Sequence, residues 1–238
     1  MKVYLDNAAT TAIDPQVLQV MTDVLSNDFG NPSSSHSEGR KSKAKLESAR
    51  KNIASLFNAS SSEIIFTSGA TEANNLAIQS VLKNGEIKQV VTSAIEHPAV
   101  LNTLEALCFN NEIDLVKLKL NTQGEIDLDE LRSLLSSGGK TFVSLMHGNS
   151  EVGNLLPLEE VARLCTEYNA VFHCDTVQTV GHYLFDLKKI KIDYITCSAH
   201  KIHGPKGVGF LYINREAKLN PLFFGGKQER GFRPGTEN

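Results

Sequence analysis

Apolar positions along the chain follow two alternating spacings. Where they recur every three to four residues they predict amphipathic helices over 15–26, 38–57, 71–82, 98–107, 128–135 and 158–168. Between these lie short runs rich in β-branched and aromatic residues, which predict strands at 64–66, 89–92, 114–116, 141–145, 170–172, 193–196 and 208–213. Asp14-Pro15 and His97-Pro98 each place a capping side chain before a first-turn proline. Strands alternating with helices predict an α/β fold, a mostly parallel sheet flanked by helices on both faces. Such sheets collect ligands at the carboxyl ends of their strands, so chemistry is sought in the residues that follow each strand.

Composition narrows the classes. The chain has 238 residues, 41% hydrophobic and 21% charged, which suits one large globular domain or two small ones. With 24 basic against 27 acidic residues the net charge is −3, so nucleic acid is not an expected partner. No apolar run approaches the roughly 18 residues of a membrane span, and the first residues do not resemble a secretory leader. A cytoplasmic location is therefore expected. The four cysteines, Cys108, Cys165, Cys174 and Cys197, form no Cys-x-x-Cys pair and sit beside apolar segments, as buried, reduced thiols would. Lys41, Lys43, Lys45, Arg50 and Lys51 on the second helix read as a solvated basic face.

Several strand ends carry reactive residue types. After 64–66 comes Thr67-Ser68-Gly69-Ala70-Thr71, a small-residue turn feeding a helix; it is either a plain capped turn or an anion cradle of free N–H groups. His97 ends another strand connection, as a helix cap or as a ring positioned for stacking and proton transfer. Asp175 follows a buried strand, where a carboxylate needs a cationic partner. Lys201 lies in Ser198-Ala199-His200-Lys201 between two apolar strands, and a desolvated lysine is a competent amine nucleophile. One strand–connection–strand unit separates Asp175 from Lys201, so both can face one crevice. A carboxylate for a pyridinium nitrogen, a lysine for an aldehyde and a phosphate cradle together point to pyridoxal phosphate. A metal site built on His200, His203, His173 and Asp175 would leave Lys201 and the cradle without roles, and no metal is expected.

These motifs resemble the pyridoxal-phosphate-dependent cysteine desulfurases of the class V aminotransferase family, in particular the group serving iron–sulfur cluster assembly and nitrogenase maturation. The resemblance rests on Tyr4-Leu5-Asp6-Asn7-Ala8-Ala9-Thr10-Thr11, Phe29-Gly30-Asn31-Pro32-Ser33-Ser34, Phe66-Thr67-Ser68-Gly69-Ala70-Thr71-Glu72, Glu96-His97, Ser198-Ala199-His200-Lys201, Gly204-Pro205-Lys206-Gly207 and Glu229-Arg230-Gly231-Phe232-Arg233-Pro234-Gly235-Thr236-Glu237-Asn238. It spans the whole chain.

The resemblance implies fold type I of the pyridoxal-phosphate enzymes. Residues 15–238 would form the large cofactor domain, residues 1–14 would belong to a small domain, and most of that small C-terminal domain would be absent. Lys201 would be the Schiff-base lysine, with His97 stacked on the ring and assisting proton transfer. Asp175 would partner the ring nitrogen. Asn149 and Gln178 would hydrogen-bond the phenolic oxygen, and Ala70, Thr71, Ser198 and His200 would hold the phosphate. Thr236 would reach the phosphate of a second subunit, implying a homodimer. The implied activity converts L-cysteine to L-alanine and a persulfide, delivered to a sulfur-acceptor or iron–sulfur scaffold protein. Ser150, Thr176, Ala199 and Lys227 depart mildly from the usual pattern. The nucleophilic cysteine of the family lies well beyond the lysine, and this chain has no cysteine after Cys197. A non-catalytic cofactor-binding fragment, or an aminotransferase or lyase of the same family, are the alternatives.

Overall fold

The computed structural model describes residues 1, 3–137 and 139–238. Six helices appear where the apolar spacing places them: α1 (Pro15–Asn27), α2 (Ser37–Leu56), α3 (Ala70–Leu82), α4 (Pro98–Asn110), α5 (Leu128–Ser136) and α6 (Leu158–Glu167). The strands are β1 (Ile64–Thr67), β2 (Gln89–Ser93), β3 (Asp114–Leu118), β4 (Thr141–Met146), β5 (Val171–Asp175), β6 (Tyr194–Ser198) and β7 (Gly209–Ile213). Both cap expectations are met. Asp14 accepts from Gln16 N at 2.7 Å, and His97 Nδ1 accepts from Ala99 N at 3.0 Å.

The seven strands form one sheet in the order β1-β7-β6-β5-β4-β2-β3. It is parallel except for β7, which pairs antiparallel with both β6 and β1. The reason is the link from Ser198 to Gly209, which holds a single turn of 3-10 helix and is too short for a crossover. Alternate side chains fill cores on the two faces. Val90, Phe142 and Leu211 pack with α3 and α4, whereas Val91, Val143 and Ile195 pack with α5 and α6. All four cysteines are buried and free. Among the described residues, no helix is long and apolar enough to cross a membrane.

Strand β5 runs three residues past the expected 170–172, through His173, Cys174 and Asp175. Polar residues ended the apolar run, yet their backbones continue the ladder, with Met146 opposite Asp175.

The basic face of α2 requires a correction. Lys41 and Lys45 both close on the buried carboxylate of Asp28, and Arg50 is itself buried. Arg50 pairs with Glu229 through two bonds of 2.6 and 2.7 Å, also donates to Ile64 O, and lies over the Phe66 ring. Apart from the local Arg50–Glu47 pair at 3.1 Å, the partners that engage these cations lie outside the helix.

Candidate active site

The strand ends converge on a crevice of about 790 Å³. Its floor is the carboxyl edge of the sheet, where Asp175 ends β5 and Ser198 ends β6. Ala70 and Thr71, at the start of α3, form one wall, and His97 contributes from the turn before α4. His200 and Lys201 enter from the 3-10 turn after β6, and Gln178 from the loop after β5. The mouth is crossed by the N-terminal segment. Thr11 N and its hydroxyl donate to His200 O, and Gln178 Nε2 donates to Ala8 O at 3.0 Å. The Lys201 ammonium donates to the carbonyls of Ala8 and Ala9.

The start of α3 presents uncapped backbone donors. Its cap residue Gly69 has φ 149° and no capping side chain, so the first N–H groups of the helix remain available. Gly209 lets β7 approach this turn: a Cβ on it would stand 2.7 Å from Gly69 Cα and 2.4 Å from Cys197 O. Glu72, in the same helical turn, would repel an anion. Burial pushes its carboxyl up, but Arg233 at 2.8 Å and Ser68 hold it below its ordinary range and engage its charge.

Charge at the floor is balanced between burial and partners. Burial pushes the Asp175 carboxyl up, opposed by Val177 N, the Asn74 amide and the charges of His97 and Lys201. Burial pulls the Lys201 ammonium down, opposed by Asp6 and Asp175. In both groups burial works against the charged form, and each charge helps to sustain the other. Burial also pulls His200 down, aided by Lys201 and Lys206. Among the described residues, no three His, Cys, Asp or Glu side chains are grouped to hold a metal ion.

The sequence profile of the aminotransferase class-V family matches residues 3–237. The chain belongs to the class-V aminotransferase family. Within it, the chain is 43% identical over 237 residues to a cysteine desulfurase from Nostoc sp., an alignment covering 99% of this chain and 59% of the relative. A solved NifS-like protein superposes with a TM-score of 0.96 at 40% identity, over 100% of this chain and 66% of that one. A structure described as SspA in complex with cysteine matches with a TM-score of 0.93 at 36% identity, over 99% and 69% of the two chains. The chain thus spans about three-fifths of the Nostoc relative's length.

Eight of the ten residues singled out from the class-V pattern line the crevice: Ala70, Thr71, His97, Asp175, Gln178, Ser198, His200 and Lys201. Asn149 and Thr236 do not. Asn149 borders a separate cavity of about 30 Å³, donates to Ile95 O, and accepts from Glu151 N and Val152 N, so its amide braces the turn beyond β4. Thr236 is exposed. Two residues escaped notice in the sequence as parts of this neighbourhood, Asn74 behind Asp175 and Ala8, whose carbonyl accepts from both Gln178 and Lys201. His173, weighed in the sequence only as a metal ligand, lies behind Asp175 and meets Asn74. Asn74 has the one local signal that was available, a polar residue on the inward face of a helix.

Proposed function

We propose that the chain carries the pyridoxal-phosphate site of a cysteine desulfurase, acting on L-cysteine to give L-alanine and transferable sulfur. The reading is carried by one arrangement: Lys201, Asp175, His97 and an uncapped helix start face a single crevice. The donor set suits the cofactor. An anion-binding helix end, a buried carboxylate and a partly desolvated lysine match its phosphate, ring nitrogen and aldehyde in turn. Pyridoxal phosphate supplies an electron sink for a carbanion at the substrate Cα.

The residues divide the remaining work. The N–H groups of Ala70 and Thr71, with Ser198 and His200, would hold the phosphate. Asp175 would keep the ring nitrogen protonated, and His97 would lie against the ring. Gln178 is within the crevice to bond the ring's oxygen substituent. Lys201 would hold the aldehyde end of the cofactor, and its amine, facing the crevice, would be the group that moves the substrate Cα proton. Burial lowers its basicity, which eases return of that proton.

Sulfur removal needs a thiolate, and no cysteine of the chain is placed to provide one. Burial pushes the Cys108 thiol up to about 11 and Cys197 to about 12, and raises Cys165 and Cys174 well above the ordinary thiol range. The attacking thiolate is therefore assigned to a cysteine outside these 238 residues, in a further segment of the protein or on a sulfur-acceptor or iron–sulfur scaffold partner. In a cytoplasmic homodimer, exposed Thr236 would be free to reach the partner's phosphate. The buried thiols equally favour a second reading, an aminotransferase or lyase of the same family, whose chemistry needs no thiol.

The test is reconstitution with pyridoxal phosphate. A long-wavelength absorbance band should appear and be abolished by Lys201→Ala. A protein that stays colourless overturns the reading. Sulfide and alanine formed from L-cysteine with an added thiol acceptor would separate the desulfurase from the second reading.

A further inference from the structure

Behind Asp175 runs a line of buried polar side chains that the reaction above does not use. Ser144 Oγ lies 2.8 Å from His173 Nδ1, His173 Nε2 lies 3.1 Å from Asn74 Oδ1, and Asn74 Nδ2 lies 2.8 Å from Asp175 Oδ2. Ser144, His173 and Asn74 are fully buried, and Asp175 is 4% exposed. The sheet explains the alignment. His173 and Asp175 are two residues apart on β5 and share a face, Ser144 is the registered neighbour of His173 on β4, and Asn74 comes down from α3 onto that face.

Hydrogen-bond chemistry sets the direction of every link. A carboxylate only accepts, so Asn74 turns its NH₂ to Asp175 and its carbonyl oxygen to His173. That oxygen only accepts, so the His173 proton sits on Nε2. Burial pulls this histidine down to about 3, leaving the ring neutral and Nδ1 an acceptor. The Ser144 hydroxyl must then donate. All three donors point toward the carboxylate.

We propose that Asn74 and His173 are positioning residues: with Ser144 they form a one-way relay of donors that keeps Asp175 anionic and aims it into the crevice. A carboxylate this deep is costly unless hydrogen-bonded. An Arg or Lys behind it would meet that cost but would draw its charge away from the crevice. Neutral donors stabilise the anion and leave its charge available to a cationic ligand atom. On the crevice side the charged or titratable groups facing Asp175 are His97 and Lys201, and buried Glu96, beside a separate small cavity, also feels its charge. The backbone N–H of Val177 holds the other oxygen at 3.0 Å.

The benefit to a protonated ring nitrogen rests on the pyridoxal-phosphate reading, so the experiment separates the two. Aspartate-labelled full-length protein without cofactor is titrated by carboxyl carbon-13 NMR, with Asp175→Asn assigning the signal. His173→Leu and Asn74→Leu are expected to move the Asp175 titration upward, and His173→Gln, which keeps a donor near the Nε2 position, to restore it. Pyridoxal phosphate affinity should fall about ten- to a hundredfold in the two leucine variants, the scale of losing a hydrogen bond to a charged group. An unshifted Asp175 titration in both leucine variants overturns the relay. Wild-type protein that shows the NMR shifts but binds no pyridoxal phosphate overturns the cofactor reading instead. Should the leucine variants not fold, Ser144→Ala removes only the terminal hydroxyl and must still raise the Asp175 titration; no shift there overturns the relay.

Discussion

Arg50 and Glu229 face each other through two parallel hydrogen bonds in the interior, joining α2 to a segment 179 residues further along the chain. Glu229 also accepts from Phe66 N at 2.8 Å, so this pair ties the late segment to the strand that leads into the start of α3. Glu229 and the following Arg230 take left-handed backbone angles, φ 43° and 59°, to make the contact. Removing one partner strands the other charge. Arg50→Met is expected to destabilise the protein by about 3–5 kcal/mol in urea unfolding, and Arg50→Met/Glu229→Leu by clearly less. Equal losses in the single and double variants would contradict a coupled buried pair.

Glu96 predicts a pH effect. It is buried beside His97, and burial pushes its carboxyl from about 4.5 up to about 8 despite bonds from Met146 N and Ser93. The folded state therefore holds the proton more tightly than the unfolded chain. Its stabilising contribution is full below pH 4.5 and is lost as the pH rises toward 8. Wild-type melting temperature should fall across that window, and Glu96→Gln should remove that part of the fall. Parallel melting curves for the two proteins from pH 5 to 8 would rule this out.

His97 combines two roles that mutation can divide. Its Nδ1 caps α4, so His97→Ala should cost about 1 kcal/mol of stability. His97→Asn keeps a capping side chain and loses the ring. Urea unfolding should find His97→Asn near wild type, while pyridoxal phosphate titration finds both variants weakened.

Gly209 marks where β7 and the start of α3 meet. With only 2.4 Å to Cys197 O for an added Cβ, Gly209→Ala must displace backbone rather than a flexible side chain. A loss of stability of several degrees is expected by thermal melting, together with weaker phosphate binding measured with pyridoxal phosphate.

The local signals proved sufficient for the elements and most of the crevice, because apolar spacing and strand ends are read from neighbouring residues. Each helix and strand lies within a few residues of its expected place. What stayed hidden depends on long-range approach. Arg50 reads as one more surface cation until Glu229 arrives, and Asn74 as an ordinary helix residue until β5 brings His173 and Asp175 beside it. Asn149 carries the right residue type for a ligand contact, but its own turn consumes the amide.

The position of β1 in the sheet has a consequence for biosynthesis. Its ladder partner is β7, with Ile64 opposite Tyr212, so β1 must wait for a strand made much later. The intervening helices and parallel strands can assemble meanwhile, but the turn beyond β1 gains its Gly209 neighbour only when β7 docks. Nascent chains of this protein should therefore expose an unpaired strand edge until β7 has been made, making them clients for chaperones.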